Sequence, residues 1–148
     1  MLREVPEECV TNEMCLCAVS RKGTTLNDVP LALRTPDLCM SAVRNEGIAI
    51  CYVPEHLITH DMCMDAVRKD GLALSWVPDR FQGDELCSAA VRQNALALEY
   101  VLDAHMTKQL CLAAVRSNVK SIQYVPMRLH SKHLCSVVAH EMRKSKAL

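Results

Sequence analysis

The stretch TPDLCMSAVRNEG, residues 35–47, carries the features of one short α-helix with both ends marked. Thr35 suits the N-cap, where its hydroxyl can accept a hydrogen bond from a backbone N–H, and Pro36 suits the first helical position, where no N–H is needed. Asp37 would lie at the positive end of the helix dipole. Gly47 is the residue type that often ends a helix in the left-handed conformation. The stretch therefore predicts a helix that begins after Thr35 and stops at a left-handed Gly47.

Near-copies of this helix recur along the whole chain, and a cysteine occupies the same position in each copy, at intervals of 24 residues. A small residue, a valine and a Val-Pro pair recur with the cysteine, and no insertion or deletion interrupts them. A fixed period of this length is typical of a solenoid, in which each unit buries its apolar face against its neighbours. We therefore predict one domain, residues 1–148, built as an all-α solenoid of six 24-residue repeats. The six units are aligned on Cys15, Cys39, Cys63, Cys87, Cys111 and Cys135.

The second element of each unit can be interpreted in two ways. In LALSWVPDRF, residues 72–81, Leu72, Leu74 and Trp76 alternate as in a strand, whereas Leu74 and Val77 fit one face of a helix. A strand would make the fold a leucine-rich-repeat horseshoe, although the Asn or Cys ladder of that fold is missing. We favour a capped α-helix followed by a shorter α- or 3₁₀ helix, with a new turn that begins at the proline. The strand interpretation stays open.

Composition argues against several functional classes. The formal net charge is zero, with 17 basic and 17 acidic residues, so we expect no nucleic-acid partner and no anionic membrane surface as a partner. No apolar run approaches the ~18 residues that a membrane span needs. The start, MLREVPEECVTNEMC, lacks the apolar core of a secretory signal peptide. We therefore expect a cytoplasmic protein.

The nine cysteines are predicted to serve the core rather than disulfides or a metal. Equivalent positions on stacked helices lie about 8–10 Å apart, whereas a disulfide needs Cα atoms within about 7 Å. Small apolar thiols suit tight helix contacts and imply a reducing compartment. Outside the 24-residue series, we expect Cys9 to be buried and Cys51 to be exposed, which makes Cys51 a candidate reactive thiol. Cys17 forms a C-x-C pair with Cys15, but residues i and i+2 of a helix point apart.

The three tyrosines and the single tryptophan all occupy the same repeat position. Their rings either cover the seam between units or line a face that contacts a partner, and both interpretations stay open. His105 and Met106 depart from the repeat, because they replace the apolar pair Leu57-Ile58 of an earlier unit. The predicted partner-binding residues are Tyr52, Trp76, Tyr100, Tyr124, His105 and Met106.

An arginine also recurs at one position in the four middle units, as Arg44, Arg68, Arg92 and Arg116. Such a row could follow a phosphate backbone. Acidic residues on the same helices and the zero net charge favour an ionic ladder between repeats instead, or solvated arginines. For catalysis the signal is weak: His133 lies two positions before Cys135, but that cysteine belongs to the 24-residue series and is expected in the core. We predict no enzyme, no cofactor and no metal.

The run L-C-x-x-A-V-R-x-(N/D)-G-x-A-L-x-Y-V-P, closest between Leu38 and Tyr124, resembles an uncharacterised bacterial repeat family, a domain of unknown function. That family occurs in multi-repeat proteins, many from bacteria that live with or inside eukaryotic cells. The 24-residue period, with its alternation of long and short helices, is also similar to that of leucine-rich-variant repeats. The resemblance implies a bacterial repeat protein that acts as an effector or interaction module, with the host cytosol as a second compartment, and it transfers no site.

Three functions follow as hypotheses. The first is a non-catalytic protein–protein interaction module that binds a protein partner along its superhelical face. The alternative is a modifier or enzyme that acts through a reactive cysteine. The third is a structural repeat protein that assembles end to end.

Overall fold

A computed structural model describes residues 4–147, and within them all regular secondary structure is helical. Six α-helices begin at every 24th residue, and the first five are ten residues long. The strand interpretation of the second element is therefore wrong for the described residues. The α-helices are α1 (Asn12–Arg21), α2 (Pro36–Asn45), α3 (His60–Lys69), α4 (Asp84–Gln93), α5 (Lys108–Ser117) and α6 (Lys132–Lys146).

Each of the first five α-helices is followed by a six-residue 3₁₀ helix, as the favoured prediction required. The valine after that helix is extended, and a three-residue 3₁₀ turn follows. In four of the five units a proline after the valine favours this extended backbone, whereas Val101 is extended although Leu102 follows it. The long 3₁₀ helices are Gly23–Asp28, Gly47–Tyr52, Gly71–Trp76, Ala95–Tyr100 and Val119–Tyr124. The short turns are Glu7–Cys9, Leu31–Leu33, Glu55–Leu57, Asp79–Phe81, Asp103–His105 and Met127–Leu129.

The predicted N-caps of the α-helices are confirmed. The Thr35 hydroxyl accepts a hydrogen bond of 3.3 Å from the backbone N–H of Leu38, and a threonine or serine does the same at four other helices. Gly83, at the same position before α4, provides no side-chain cap. These caps satisfy an otherwise free N–H in the first turn and explain where the helices begin.

The predicted left-handed stop at Gly47 is wrong. Glu46, with extended backbone, caps α2, and within residues 4–147 no glycine has a positive φ. Glycine is needed at this position for a different reason. A Cβ on Gly47 would overlap the carbonyl oxygen of Ala66 in α3, and Gly23 and Gly71 approach the next helix in the same way. The missing side chain therefore lets the backbones of successive units come into close contact.

The core forms one continuous layer between elements that are near neighbours in sequence. Successive α-helices pack on each other, successive long 3₁₀ helices do the same, and each 3₁₀ helix also packs against the α-helices before and after it. Both kinds of helix supply fully buried side chains: Ile50 and Leu74 from the 3₁₀ helices and Val43 and Val67 from the α-helices are at most 1 % exposed. Burial of this apolar surface is the main stabilising term of such a fold.

The cysteines of the 24-residue series confirm the predicted core role at five of six positions. Cys15, Cys39, Cys63, Cys87 and Cys111 are at most 1 % exposed. Cys135 and Cys9 are exposed, and for these two the prediction is wrong. In α1–α5 the cysteine lies on a helix side that the following elements cover, whereas α6 is the last helix described. Cys9 lies in the first described turn, where fewer elements surround it.

Candidate protein interface

The four aromatic residues end four consecutive long 3₁₀ helices that pack side by side. Trp76 is 54 % exposed and Tyr100 is 37 % exposed, while Tyr52 and Tyr124 are half-buried. The four residues therefore occupy equivalent positions at the ends of neighbouring 3₁₀ helices. We call this set the aromatic row, comprising Tyr52, Trp76, Tyr100 and Tyr124.

The backbone at the Tyr52 end of the row is held by Arg34, which follows the short turn Leu31–Leu33 of the preceding unit. Arg34 donates through one guanidinium nitrogen to the carbonyl of Tyr52, at 2.6 Å, and through Nε to the carbonyl of Val29, at 2.9 Å. Partial burial and the nearby Glu99 carboxylate raise the pKa of Tyr124. The phenol is protonated at neutral pH, as tyrosine ordinarily is, and its O–H interacts with the Glu99 carboxylate.

The two other predicted partner-binding residues lie in different surroundings. His105 ends the turn Asp103–His105, and its Nδ1 is 2.6 Å from Oδ1 of Asp84, at the start of α4. Met106 is only 7 % exposed and packs in the core. Its assignment to a partner-binding surface is therefore wrong, because a buried side chain offers no area to a partner. The position is buried in another unit too, since its equivalent Ile58 is 9 % exposed.

Within the described residues, the arginine row makes an ion pair between successive α-helices at one position. Nε of Arg44 lies 2.9 Å from Oδ2 of Asp65 on the next helix. Arg68, Arg92 and Arg116 are exposed and make no ion pair within residues 4–147. The predicted ladder therefore holds for Arg44 alone.

Charged pairs also connect the short turns, and the sequence-based predictions did not include them. Arg80 contacts Glu55 at 2.7 Å, and Arg128 contacts Asp103 at 3.2 Å, so each arginine reaches back to the turn of the preceding unit. The signal was present in the sequence, because both pairs are 25 residues apart. A search for opposite charges one repeat plus one residue apart would have found them.

Six of the nine thiols are poorly placed for nucleophilic chemistry, because burial raises their pKa. Burial raises the pKa of Cys63 and of Cys87 to about 11. Cys51 is half-buried rather than exposed as expected, and desolvation raises its pKa as well. A raised pKa lowers the fraction of reactive thiolate at neutral pH. All nine cysteines are free thiols, and the described part of the chain holds no group of three or more side chains suited to a metal ion.

The middle of the chain has a counterpart among known protein families. Residues 59–105 match a domain of unknown function (DUF4116). The match runs from the N-cap of α3 to the end of the turn Asp103–His105, and so includes Trp76 and Tyr100. It agrees with the predicted resemblance to an uncharacterised domain. Comparison with curated proteins and with solved structures gives no match. Among residues 4–147, no helix combines the length and the apolar character that crossing a membrane requires.

Proposed function

We propose that this chain is an all-α solenoid of six 24-residue repeats that recognises a protein partner without catalysis. The regular spacing of the helix starts and the packing between successive elements support the solenoid. The aromatic row is the proposed binding surface. The bacterial cytoplasm, or a host cytosol after delivery, is the proposed compartment, since nine free thiols suit a reducing environment.

The exposure of Trp76 is the observation that carries the proposal. Its neighbours in the same unit, Ala73, Leu74 and Val77, are at most 5 % exposed, whereas more than half of the indole remains accessible. A ring that only sealed the seam between units would be buried like those neighbours. Tryptophan and tyrosine are the residue types most enriched in the energetically dominant centres of protein interfaces, because their large, rigid surfaces lose little entropy on binding.

The aromatic row offers a partner a strip of ring surface, with the hydroxyl of Tyr124 at one end. Successive rings are separated by one repeat, about 8–10 Å if the units stack as packed helices do. A partner helix or extended segment laid along the strip could cover several rings at once, and the hydroxyl oxygen of Tyr124, whose O–H faces Glu99, could accept a hydrogen bond at one end. Affinity would come chiefly from burial of Trp76 and Tyr100, which have the most surface to lose.

The test is a pull-down from bacterial and host-cell lysates, read by mass spectrometry. It compares the wild type with a Trp76→Ala, Tyr100→Ala, Tyr124→Ala variant. The matched control replaces Leu31 and Met127, two apolar residues of the short turns that are 70 % and 81 % exposed, with alanine. Circular dichroism checks that both variants fold.

A partner that binds the wild type and the control, and is lost by the folded aromatic variant, supports the proposal. Equal binding by all three proteins would show that the rings only stabilise the fold. The raised pKa of the buried thiols and of Cys51 weighs against these residues as the nucleophile of the alternative, an enzyme that uses a reactive cysteine. Such an enzyme would have to use one of the exposed thiols, Cys9, Cys17 or Cys135.

A further inference from the structure

A second surface lies on the α-helices, whereas the aromatic row lies at the ends of the 3₁₀ helices. A cavity of about 620 Å³ lies between α3 and α4, and Arg68 and Arg92 both line it. A cavity of about 390 Å³ between α4 and α5 shares Arg92. A third, of about 380 Å³ between α2 and α3, shares Arg68 and adds Arg44. We call the three cavities together the helix-face groove; an arginine separates each cavity from the next.

The charges of the groove are sorted into two edges. Arg68 and Arg92 lie in the last turns of their helices, whereas Asp84 and Glu85 line the same cavity from the first turn of α4. Eight residues separate Asp84 from Arg92, so the two edges are about 12 Å apart along the helix axis. The basic edge therefore follows the helix C-termini along the groove, whereas the acidic edge is confined to the cavity between α3 and α4, since α5 begins with Lys108 and has no acidic residue in its first turn.

The basic edge has free hydrogen-bonding capacity. Arg44 is paired with Asp65, but Arg68 and Arg92 have no ion-pair partner within residues 4–147. The neighbouring Gln93 is already occupied, because its Oε1 accepts a hydrogen bond of 2.6 Å from the backbone N–H of Gly71 and its Nε2 donates to the carbonyl of Lys69. Guanidinium groups that present several N–H donors suit carboxylates, which they can bind with two parallel hydrogen bonds.

We propose that the basic edge of the helix-face groove binds an extended acidic segment of a partner protein, with a carboxylate at every third residue. One repeat separates successive arginines, a distance of about 8–10 Å for packed helices. A polyproline II segment rises by about 3.1 Å per residue and turns once in three residues, so every third side chain returns to the same side after about 9.3 Å. The two spacings match, and the carboxylates of such a segment meet Arg68 and Arg92 in register.

The acidic edge selects against a nucleic acid in the same groove. Glu85 lies across the cavity from the arginines, beside Asp84, whose Oδ1 already contacts Nδ1 of His105. A polyanion with a phosphate at every nucleotide would be repelled by the Glu85 carboxylate. A peptide whose charges lie only on the side that faces the arginines can keep uncharged residues toward that edge. The zero net charge of the whole chain also argues against a nucleic-acid ligand.

The binding experiment uses a fluorescent peptide, (Pro-Pro-Glu)₄, with fluorescence anisotropy as the readout. A peptide of the same composition with its four glutamates in one block tests whether spacing matters beyond net charge. The variant is Arg68→Gln, Arg92→Gln, and the matched control is Arg21→Gln, Arg143→Gln, which removes two exposed arginines elsewhere. A fluorescent oligouridine tests the competing class of ligand. Because all four arginines are exposed, these substitutions should leave the fold intact, which circular dichroism verifies.

The expected result is that the wild type and the control bind the spaced peptide equally, and more tightly than the block peptide, while the Arg68, Arg92 variant binds about fivefold more weakly. Equal binding by the variant and the control would overturn the site. Equal affinity for the two peptides would overturn the spacing argument, and tighter binding of oligouridine than of the peptide would overturn the choice of ligand. These outcomes are independent of the aromatic row, which none of the substitutions touches.

Discussion

The substitution Gly47→Ala tests the close contact between units, and we expect it to destabilise the protein. The new Cβ would overlap the carbonyl oxygen of Ala66, a backbone atom that accepts the 2.8 Å hydrogen bond from Asp70 at the end of α3. The oxygen cannot rotate away as a flexible side chain could. Either α3 shifts as a whole or this terminal hydrogen bond is lost, so the strain spreads to the packing between the second and third units.

The magnitude follows from two opposing contributions. Overpacking a well-packed contact costs about 1–3 kcal/mol. Alanine also lowers the entropy of the unfolded chain, which stabilises the fold by about 0.4–1 kcal/mol where φ is not positive, as at Gly47. The net loss should be about 1–2 kcal/mol, which for a domain of this size lowers Tm by roughly 2–8 °C.

The assay is urea unfolding followed by circular dichroism and by the fluorescence of Trp76, which is the single tryptophan. Ala95→Gly is the informative comparison, because Ala95 occupies the equivalent position and is 4 % exposed. There the units already accommodate a Cβ, so removing it should also destabilise the protein, through lost burial and added chain entropy. If Gly47→Ala instead raises the unfolding midpoint, the backbone contact does not limit the residue at this position, and the close-contact explanation of Gly47 is refuted.

Three further outcomes are expected. Gly83→Ser should raise the free energy of unfolding by about 0.5–1 kcal/mol in the same urea assay, because it lowers the entropy of the unfolded chain and adds a side-chain N-cap to α4 where no atom lies within 4 Å of the new Cβ; an unchanged midpoint would contradict this. Glu55→Ala should change stability by less than about 1 kcal/mol, since the pair with Arg80 is exposed, and a larger loss would show that the pair does more than a surface ion pair usually does. Stability should fall as pH rises from 9 to 11, because Cys63 and Cys87 release their protons in the unfolded state near pH 9.0 but in the folded state only near 11. Replacing both thiols with alanine should flatten that part of the pH profile, and a profile that stays equally steep would rule out these groups as its cause.

The sequence by itself determined the elements and their order. Thr35 and its equivalents mark the helix starts, Val-Pro pairs mark the end of four of the five second elements, and the 24-residue period fixes where each helix begins. These signals are local: a cap acts within three residues and a proline on its immediate neighbour. They can be read without knowing what surrounds them, which is why the helical fold was predictable.

The tertiary structure decided how each residue is used. Gly47 is required by Ala66, a residue 19 positions away, and not by its own φ. Met106 and Trp76 were both predicted to face a partner, yet packing buries the first and leaves the second exposed. Arg44 has a partner because α3 places Asp65 against it, whereas the equivalent positions opposite Arg68 and Arg92 hold Ala89 and Ala113. The physical reason is that burial and pairing depend on what the adjacent units place against a side chain, and a repeat gives the same residue different neighbours in each unit.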